Sequence, residues 1–246
     1  MMMLIIDRGN TALKWQVLKS GVVHEQGQAL NKMPLTEVLH PLIEVRFTSI
    51  YVSNVGPIDF CKQLSEWAGK HNQPPPVFVE SVRTAHGVTN AYDRPEQLGV
   101  DRWLAMIAAN KTYPGPLCVV DIGTALTMDF LDGDGLHLGG FIVPGVELMK
   151  SSLLGRTEKI ALQERAANNQ LGKNTSEAVF LGIEQMLQAF IEQKMAQMQV
   201  EYQQAISLIL TGGYANTLAV GLSIPHQVHN ELVLDGLKML GDQTSL

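Results

Sequence analysis

Cysteine is scarce: the 246-residue chain has two, Cys61 and Cys118. They stand far apart, with no C-x-x-C pair and no histidine cluster at zinc-ligand spacing, which argues against a structural zinc site and for a reduced protein. No stretch approaches the roughly 20 apolar residues that span a bilayer. The opening Met1 to Ile6 is apolar but has no basic flank and meets Asp7 at once, which suits neither a secretory signal nor a membrane anchor. The net charge is −6, the pI is near 5.6, and no Lys/Arg-rich run is present. A basic field for a nucleic-acid backbone is therefore missing. Low-complexity tracts and short-period repeats are absent too. The expectation is a cytoplasmic protein that engages neither membrane nor nucleic acid.

What is present is enough apolar sequence, 46% of residues, for one large domain or two small ones. Two stretches share one form. Leu4-Ile5-Ile6 runs into Asp7-Arg8-Gly9-Asn10-Thr11, and Val119-Val120 runs into Asp121-Ile122-Gly123-Thr124-Ala125. Each apolar run reads as a buried strand, and the Asp-x-Gly after it allows a tight turn that exposes a carboxylate and backbone N–H groups. A polyphosphate and its divalent cation require that chemistry: a carboxylate facing the metal, amides and hydroxyls facing phosphate oxygens. One such turn is a frequent accident. Two, with a third glycine turn at Thr211-Gly212-Gly213 also ending an apolar strand, are hard to ascribe to chance.

Around these turns strands and helices interleave, as in an α/β layer structure. Strands are expected at Met3 to Asp7, Lys14 to Lys19, Ser49 to Val55, Val77 to Glu80, Leu117 to Asp121, Thr127 to Leu131 and Ser207 to Leu210. Helical spacing covers Leu35 to Val45, Pro57 to Lys70, Gln97 to Tyr113, Pro144 to Leu154, Ser176 to Gln199 and Asn230 to Leu240. The break at Pro114-Gly115-Pro116 divides the chain into expected halves of 1–115 and 116–246, and the second half repeats the opening order of strand, Asp-x-Gly turn, strand.

These residues resemble the type III pantothenate kinases, members of the acetate and sugar kinase, Hsp70 and actin superfamily. Asp7 to Thr11 matches the first phosphate motif, Asp121 to Ala125 the second, and Thr211-Gly212-Gly213 the adenosine motif. More specific is Asn90-Ala91-Tyr92-Asp93-Arg94-Pro95-Glu96-Gln97-Leu98-Gly99-Val100-Asp101-Arg102-Trp103, which is similar to the family's Tyr-x-x-Pro-x-x-Leu-Gly-x-Asp-Arg block. Gly139 to Gly145 and Asn174-Thr175 match as well. Arg8 departs from the pattern, standing where many relatives carry a small or apolar residue, and so does Lys14-Trp15.

The resemblance implies two ribonuclease H-like domains with an interdomain nucleotide cleft, usually in a homodimer. It also implies transfer of the γ-phosphate of ATP to pantothenate, with Mg²⁺ or a similar divalent cation and a monovalent one, K⁺ or NH₄⁺. On the same basis Asp7 holds the divalent ion, and Asp7, Arg8, Gly9, Asn10, Thr11, Ala12, Leu13, Lys14 and Thr124 hold ATP. Asp121 binds the monovalent cation. Tyr92, Gly99, Val100, Asp101, Arg102 and Thr175 form the substrate pocket, with Asp101 as general base. Helix physics alone leaves alternatives: Asp101 as a helix-start residue, Arg102 as partner of a surface acid, Thr175 as an N-cap, Tyr92 as a core or interface aromatic. Another kinase or phosphatase of the superfamily, or a silent ATP-binding accessory protein, are the competing functions.

Overall fold

Met3 to Ile6 are all buried, as expected of a strand covered on both faces. The computed structural model describes residues 2–154 and 171–243, so the parts of the expected halves at residues 1, 155–170 and 244–246 lie outside the described residues. The chain divides into two compact units, Met1–Thr112 with Glu231–Leu246, and Tyr113–Asn230.

The first unit is built on a five-stranded sheet. Its strands are β1 (Met2–Arg8), β2 (Ala12–Lys19), β3 (Val22–Leu30), β4 (Ser49–Asn54) and β5 (Val77–Phe78), in the order β3-β2-β1-β4-β5. The first three are antiparallel, and β4 and β5 join parallel. Helices α1 (Leu35–Val38) and α2 (Asp59–Lys70) close one face over Leu4, Ile6, Leu13, Trp15, Val17, Ile50 and Val52. Pro41 cuts the helix expected over Leu35 to Val45, leaving α1 and a single 3-10 turn, His40–Leu42. Strand β3 was not anticipated. It is a mostly exposed edge, Val22-Val23-His24-Glu25-Gln26-Gly27, without the apolar alternation that marks a half-buried strand.

A short hairpin, β6 (Thr84–Ala85) with β7 (Val88–Thr89), precedes α3 (Val100–Thr112). Sequence spacing places one face of α3 in the core, yet Val100 and Arg102 to Ala109 are all buried. The reason lies at the far end of the chain, in α7 (Leu232–Gln243), which packs on α3, β1 and β4. Gly236 lies directly against the Leu104 backbone, and Gly241 against Met3 and Tyr51. Residues 231–243 thus belong with the first unit, not with the second half where sequence order puts them.

The second unit repeats the plan with β8 (Leu117–Ile122), β9 (Ala125–Leu131), β10 (His137–Pro144), β11 (Ser207–Thr211) and β12 (Gln227–Val228), in the order β10-β9-β8-β11-β12. Strand senses match the first sheet one for one. Helices α4 (Val146–Leu154), α5 (Thr175–Tyr202) and α6 (Ala215–Ala219) complete the unit. Cys118, Val120, Ile122, Leu126, Met128 and Phe130 form its core with Ile183, Leu187, Ile191 and Met195 of α5. Cys118 is fully buried and free, as its place in an apolar run implies, and Cys61 is free as well.

Candidate active site

The two Asp-x-Gly turns occupy equivalent places in the two sheets. Asp7 lies opposite Lys14 on β2 and Ser53 on β4; Asp121 lies opposite Thr127 on β9 and Thr211 on β11. Each aspartate therefore has a hydroxyl residue beside it on the next parallel strand, a correspondence that the strand pattern alone did not reveal. The first loop is one residue longer. Gly9 N–H donates to the Ala12 carbonyl at 3.1 Å, and Gly123 N–H to the Ala125 carbonyl at 2.9 Å.

Neither Gly9 nor Gly123 adopts a left-handed backbone, so conformational freedom is not why glycine stands there. A Cβ would meet only the Ala12 carbonyl oxygen at 3.4 Å in the first case, and nothing nearer than 3.8 Å in the second. Both positions leave open space beside the turn, the room that an anion needs to approach backbone amides. Conformational demand falls instead on Gly212, whose φ is +92° and whose missing Cβ would overlap the Asp121 carboxylate and the Ile122 backbone. Gly145 is equally constrained: its N–H donates to the Thr124 carbonyl at 2.9 Å, and a Cβ there would strike the carbonyls of Gly123 and Thr124. Two glycine approaches thus hold the second turn, while Thr124 itself stays exposed. Tyr214, next to the third glycine turn, donates its hydroxyl to Glu147 at the start of α4, which also takes Lys150 Nζ at 2.6 Å.

In the first unit Asp7 and Asp101 come within electrostatic reach of each other. Asp7 keeps some accessible surface, but its carboxyl group is packed closely enough that desolvation, the largest effect, pushes its pKa up to about 6. The Ser53 hydroxyl donating at 2.9 Å pulls it down, Asp101 pushes it up, Lys14 pulls down, and Glu231 pushes up. Lys14 is shared with Glu231 at 3.9 Å. Desolvated and beside a second carboxylate, Asp7 has the environment that a divalent cation relieves. Among the described residues no cluster of three or more His, Cys, Asp or Glu forms a ready cage. That fits Mg²⁺, which takes one or two carboxylates and completes its shell with substrate phosphates and water.

The raised pKa makes stability depend on pH. Between the ordinary 3.8 and about 6 the folded protein binds this proton more tightly than the unfolded chain does, so stability is lost as pH rises through that window. Asp7→Asn keeps the Ser53 bond and removes the desolvated charge. Chemical denaturation of the variant should show a gain of about 1–3 kcal/mol over the wild type at pH 8 and little at pH 4, together with weaker Mg·ATP binding. No gain at pH 8 would mean that the Asp7 charge is not desolvated.

Asp101 stands in the first turn of α3, where the dipole favours a carboxylate, and its Oδ1 accepts from Arg102 N–H at 2.7 Å. Gly99 leaves room for this carboxylate, for a Cβ at that position would lie 2.7 Å from Oδ1. Arg102 is 6% exposed, which removes the surface-pair alternative. Its Nη1 donates to the Tyr92 hydroxyl at 3.0 Å, and its guanidinium carbon lies 5.8 Å from the Tyr92 ring centroid. Tyr92, Asp101 and Arg102 are thus brought together.

The loop that positions them is pinned by polar residues whose part in it no sequence motif specifies. Asn90, 1% exposed, accepts from Tyr92 N–H at 3.0 Å and donates to the Pro95 carbonyl at 3.2 Å. Arg83 donates to the carbonyls of Asn90 and Asp93, and Ser81 to that of Leu98.

The remaining expected residues are distributed as follows. Asn10 and Thr11 are exposed at the tip of the first turn. Ala12 is half-buried, and Leu13 and Val100 are buried, at 4% and 8% exposure, so these last two offer a ligand only their backbones. Arg8 turns back to donate to the Gly9 carbonyl at 2.7 Å and packs over Phe60. Thr175, exposed in the second unit, opens α5 but does not cap it: Asn174 does, accepting from Glu177 N–H at 2.9 Å.

Two units, each with a five-stranded mixed sheet of the same order, form the fold of paired ribonuclease H-like domains. Solved structures agree on the fold. A conserved Campylobacter jejuni protein assigned to the Baf family of transcriptional activators superposes with a TM-score of 0.62 at 19% identity, covering 99% of this chain and all of that one. The ADPNP-bound activator of 2-hydroxyisocaproyl-CoA dehydratase from Clostridium difficile gives 0.54 at 13% identity, covering 100% and 98%.

The family follows from sequence. A family model for type III pantothenate kinase matches residues 3–197. The type III pantothenate kinase of Nitrosococcus oceani is 33% identical over 255 residues, covering 99% of this chain and 95% of its own. That of Nitrosomonas eutropha is 35% identical over 246 residues, with coverage of 97% and 93%. The chain belongs to the type III pantothenate kinase family.

Proposed function

We propose that the chain transfers the γ-phosphoryl group of ATP to the primary hydroxyl of pantothenate, giving 4′-phosphopantothenate, the first step of coenzyme A biosynthesis. The observation that carries this reading is near-full-length identity of 31% to 35% with curated type III pantothenate kinases.

Phosphoryl transfer has little covalent work for a protein to do, so alignment and charge stabilisation dominate. Asp101, at a helix start that keeps it ionised, accepts the proton of the attacking hydroxyl. Arg102 and Tyr92 orient the pantothenate, with the Gly99-Val100 backbone and Thr175 completing its pocket. The open Gly9 turn, with Asn10, Thr11 and Lys14, and the exposed Thr124 supply amides, hydroxyls and a cation to the ATP phosphates. Asp7 is the carboxylate for the divalent cation, which when bound neutralises charge on the phosphates. Asp121 is the ligand of the monovalent cation. The protein works in the cytoplasm as a homodimer. No described helix is long and apolar enough to cross a membrane.

A coupled ADP-release assay with and without pantothenate, in K⁺ and in Na⁺, tests acceptor and ion together. ADP release should require pantothenate and rise at least several-fold in K⁺. Release with a sugar in place of pantothenate would overturn the choice of acceptor, and equal rates in both salts would remove the monovalent cation.

A further inference from the structure

The first unit contains a half-open cavity of about 240 Å³ lined from β1, β2, the end of β3 and the loop after it, α1 and α2. Its lining is apolar at Leu13, Leu35, Val38 and Phe60, and polar at Arg8, Asn31, Asp59 and Gln63. Tyr92, Asp101 and Arg102 do not line it.

Two of these polar groups, Arg8 and Asn31, are incompletely satisfied. The Arg8 guanidinium stacks over Phe60 at 5.4 Å and spends one N–H on the Gly9 carbonyl, and among the described residues no carboxylate lies within ion-pair distance of it. A guanidinium carries five donors in a planar fork that matches a carboxylate. Asn31 donates its Nδ2 to the same Gly9 carbonyl at 2.9 Å, while its Oδ1 is buried with no hydrogen-bond partner. A buried acceptor left empty is costly, and each such group in a folded protein calls for an explanation.

We infer that this cavity binds a small organic anion, a carboxylate carrying one hydrogen-bond donor on a short branched apolar body, and that its occupancy is felt at the phosphate turn through Gly9. The carboxylate meets Arg8, the donor meets Asn31 Oδ1, and the branched body fills the space between Leu13, Leu35 and Val38. Inorganic phosphate would satisfy Arg8 alone and leave the apolar walls bare. At this volume the ligand has roughly a dozen non-hydrogen atoms, below the size of drug-like occupants. Coupling follows from the shared carbonyl: a ligand that redirects Arg8 or Asn31 changes what anchors Gly9, two residues from Asp7. Asp59, exposed at the rim, opposes the anion and sets an upper limit on its affinity.

N-acetyl-leucine has this chemistry and serves as the probe, with the neutral N-acetyl-leucinamide as control. Calorimetric titration of the full chain should give a Kd on the order of 1 mM for the acid, with the amide at least tenfold weaker. Val38→Trp, which fills the apolar end, should abolish binding, and Arg8→Gln should weaken it about tenfold. Asp59→Asn, at an exposed position that leaves packing untouched, should tighten it about threefold. Saturation with the acid should shift the Kd for Mg·ATP about two- to fivefold. Equal binding of acid and amide, no response to Asp59→Asn, or no heat at about 10 mM acid would overturn the inference. So would binding that survives Val38→Trp but disappears when pantothenate is added, because the acid would then occupy the substrate pocket.

Discussion

Asp101→Asn should lower kcat by about 10²-fold or more, while the protein folds normally and its KM for pantothenate changes little. The size follows from the usual contribution of a general base, and the selectivity from local geometry. The Oδ1 that accepts from Arg102 N–H at 2.7 Å is retained in asparagine, and the room left by Gly99 accommodates either side chain. Only the capacity to take a proton goes. Because Asp101 also helps to raise the Asp7 pKa, the variant should titrate Asp7 at a lower pH than the wild type does. Near-normal turnover would strip Asp101 of its role and leave it as a helix-start residue.

Gly212→Ala should be among the most damaging small substitutions in the second unit. At φ +92° a side chain costs about 1–3 kcal/mol of backbone strain. The added methyl also meets the Asp121 carboxylate and the Ile122 backbone, and overpacking of that kind costs about 1–3 kcal/mol more. A loss of roughly 2–5 kcal/mol in denaturant-induced unfolding is expected. Displacement of Asp121 should also weaken the dependence of turnover on K⁺. Gly213→Ala is the control, for nothing lies within 4 Å of a Cβ there, and it should unfold at nearly the wild-type midpoint. Equal damage from the two would mean that the Gly212 contact does not set the turn.

The strands that carry Asp7 and Asp121 were legible because they are buried on both faces and so read as unbroken apolar runs. Their turns were legible because glycine and aspartate punctuate them. Strand β3 escaped because an exposed edge has no apolar period, and α1 was overextended because spacing was weighed above Pro41. The return of α7 to the first unit depends on Gly236 against Leu104 and Gly241 against Met3, close approaches between residues more than 130 positions apart that no local pattern encodes. At the site, Asp101, Arg102 and Tyr92 were named through the family block and are found together. Asn90, Arg83 and Ser81, which hold that block in shape, are ordinary polar residues by sequence and become visible only through the backbone groups they satisfy. Ser53 and Thr211 are similar cases: each ends an apolar strand, and only register reveals that each faces an aspartate.

A type III pantothenate kinase moves one phosphoryl group from ATP to the hydroxyl of pantothenate. Phosphorus NMR of a reaction containing protein, Mg·ATP, K⁺ and pantothenate reads that transfer directly. A phosphomonoester signal should grow in step with ADP, vanish when pantothenate is left out and grow about 10²-fold more slowly with Asp101→Asn. ADP accompanied only by inorganic phosphate, or ATP left unchanged by a folded protein that binds it, would rule out pantothenate phosphorylation by this chain.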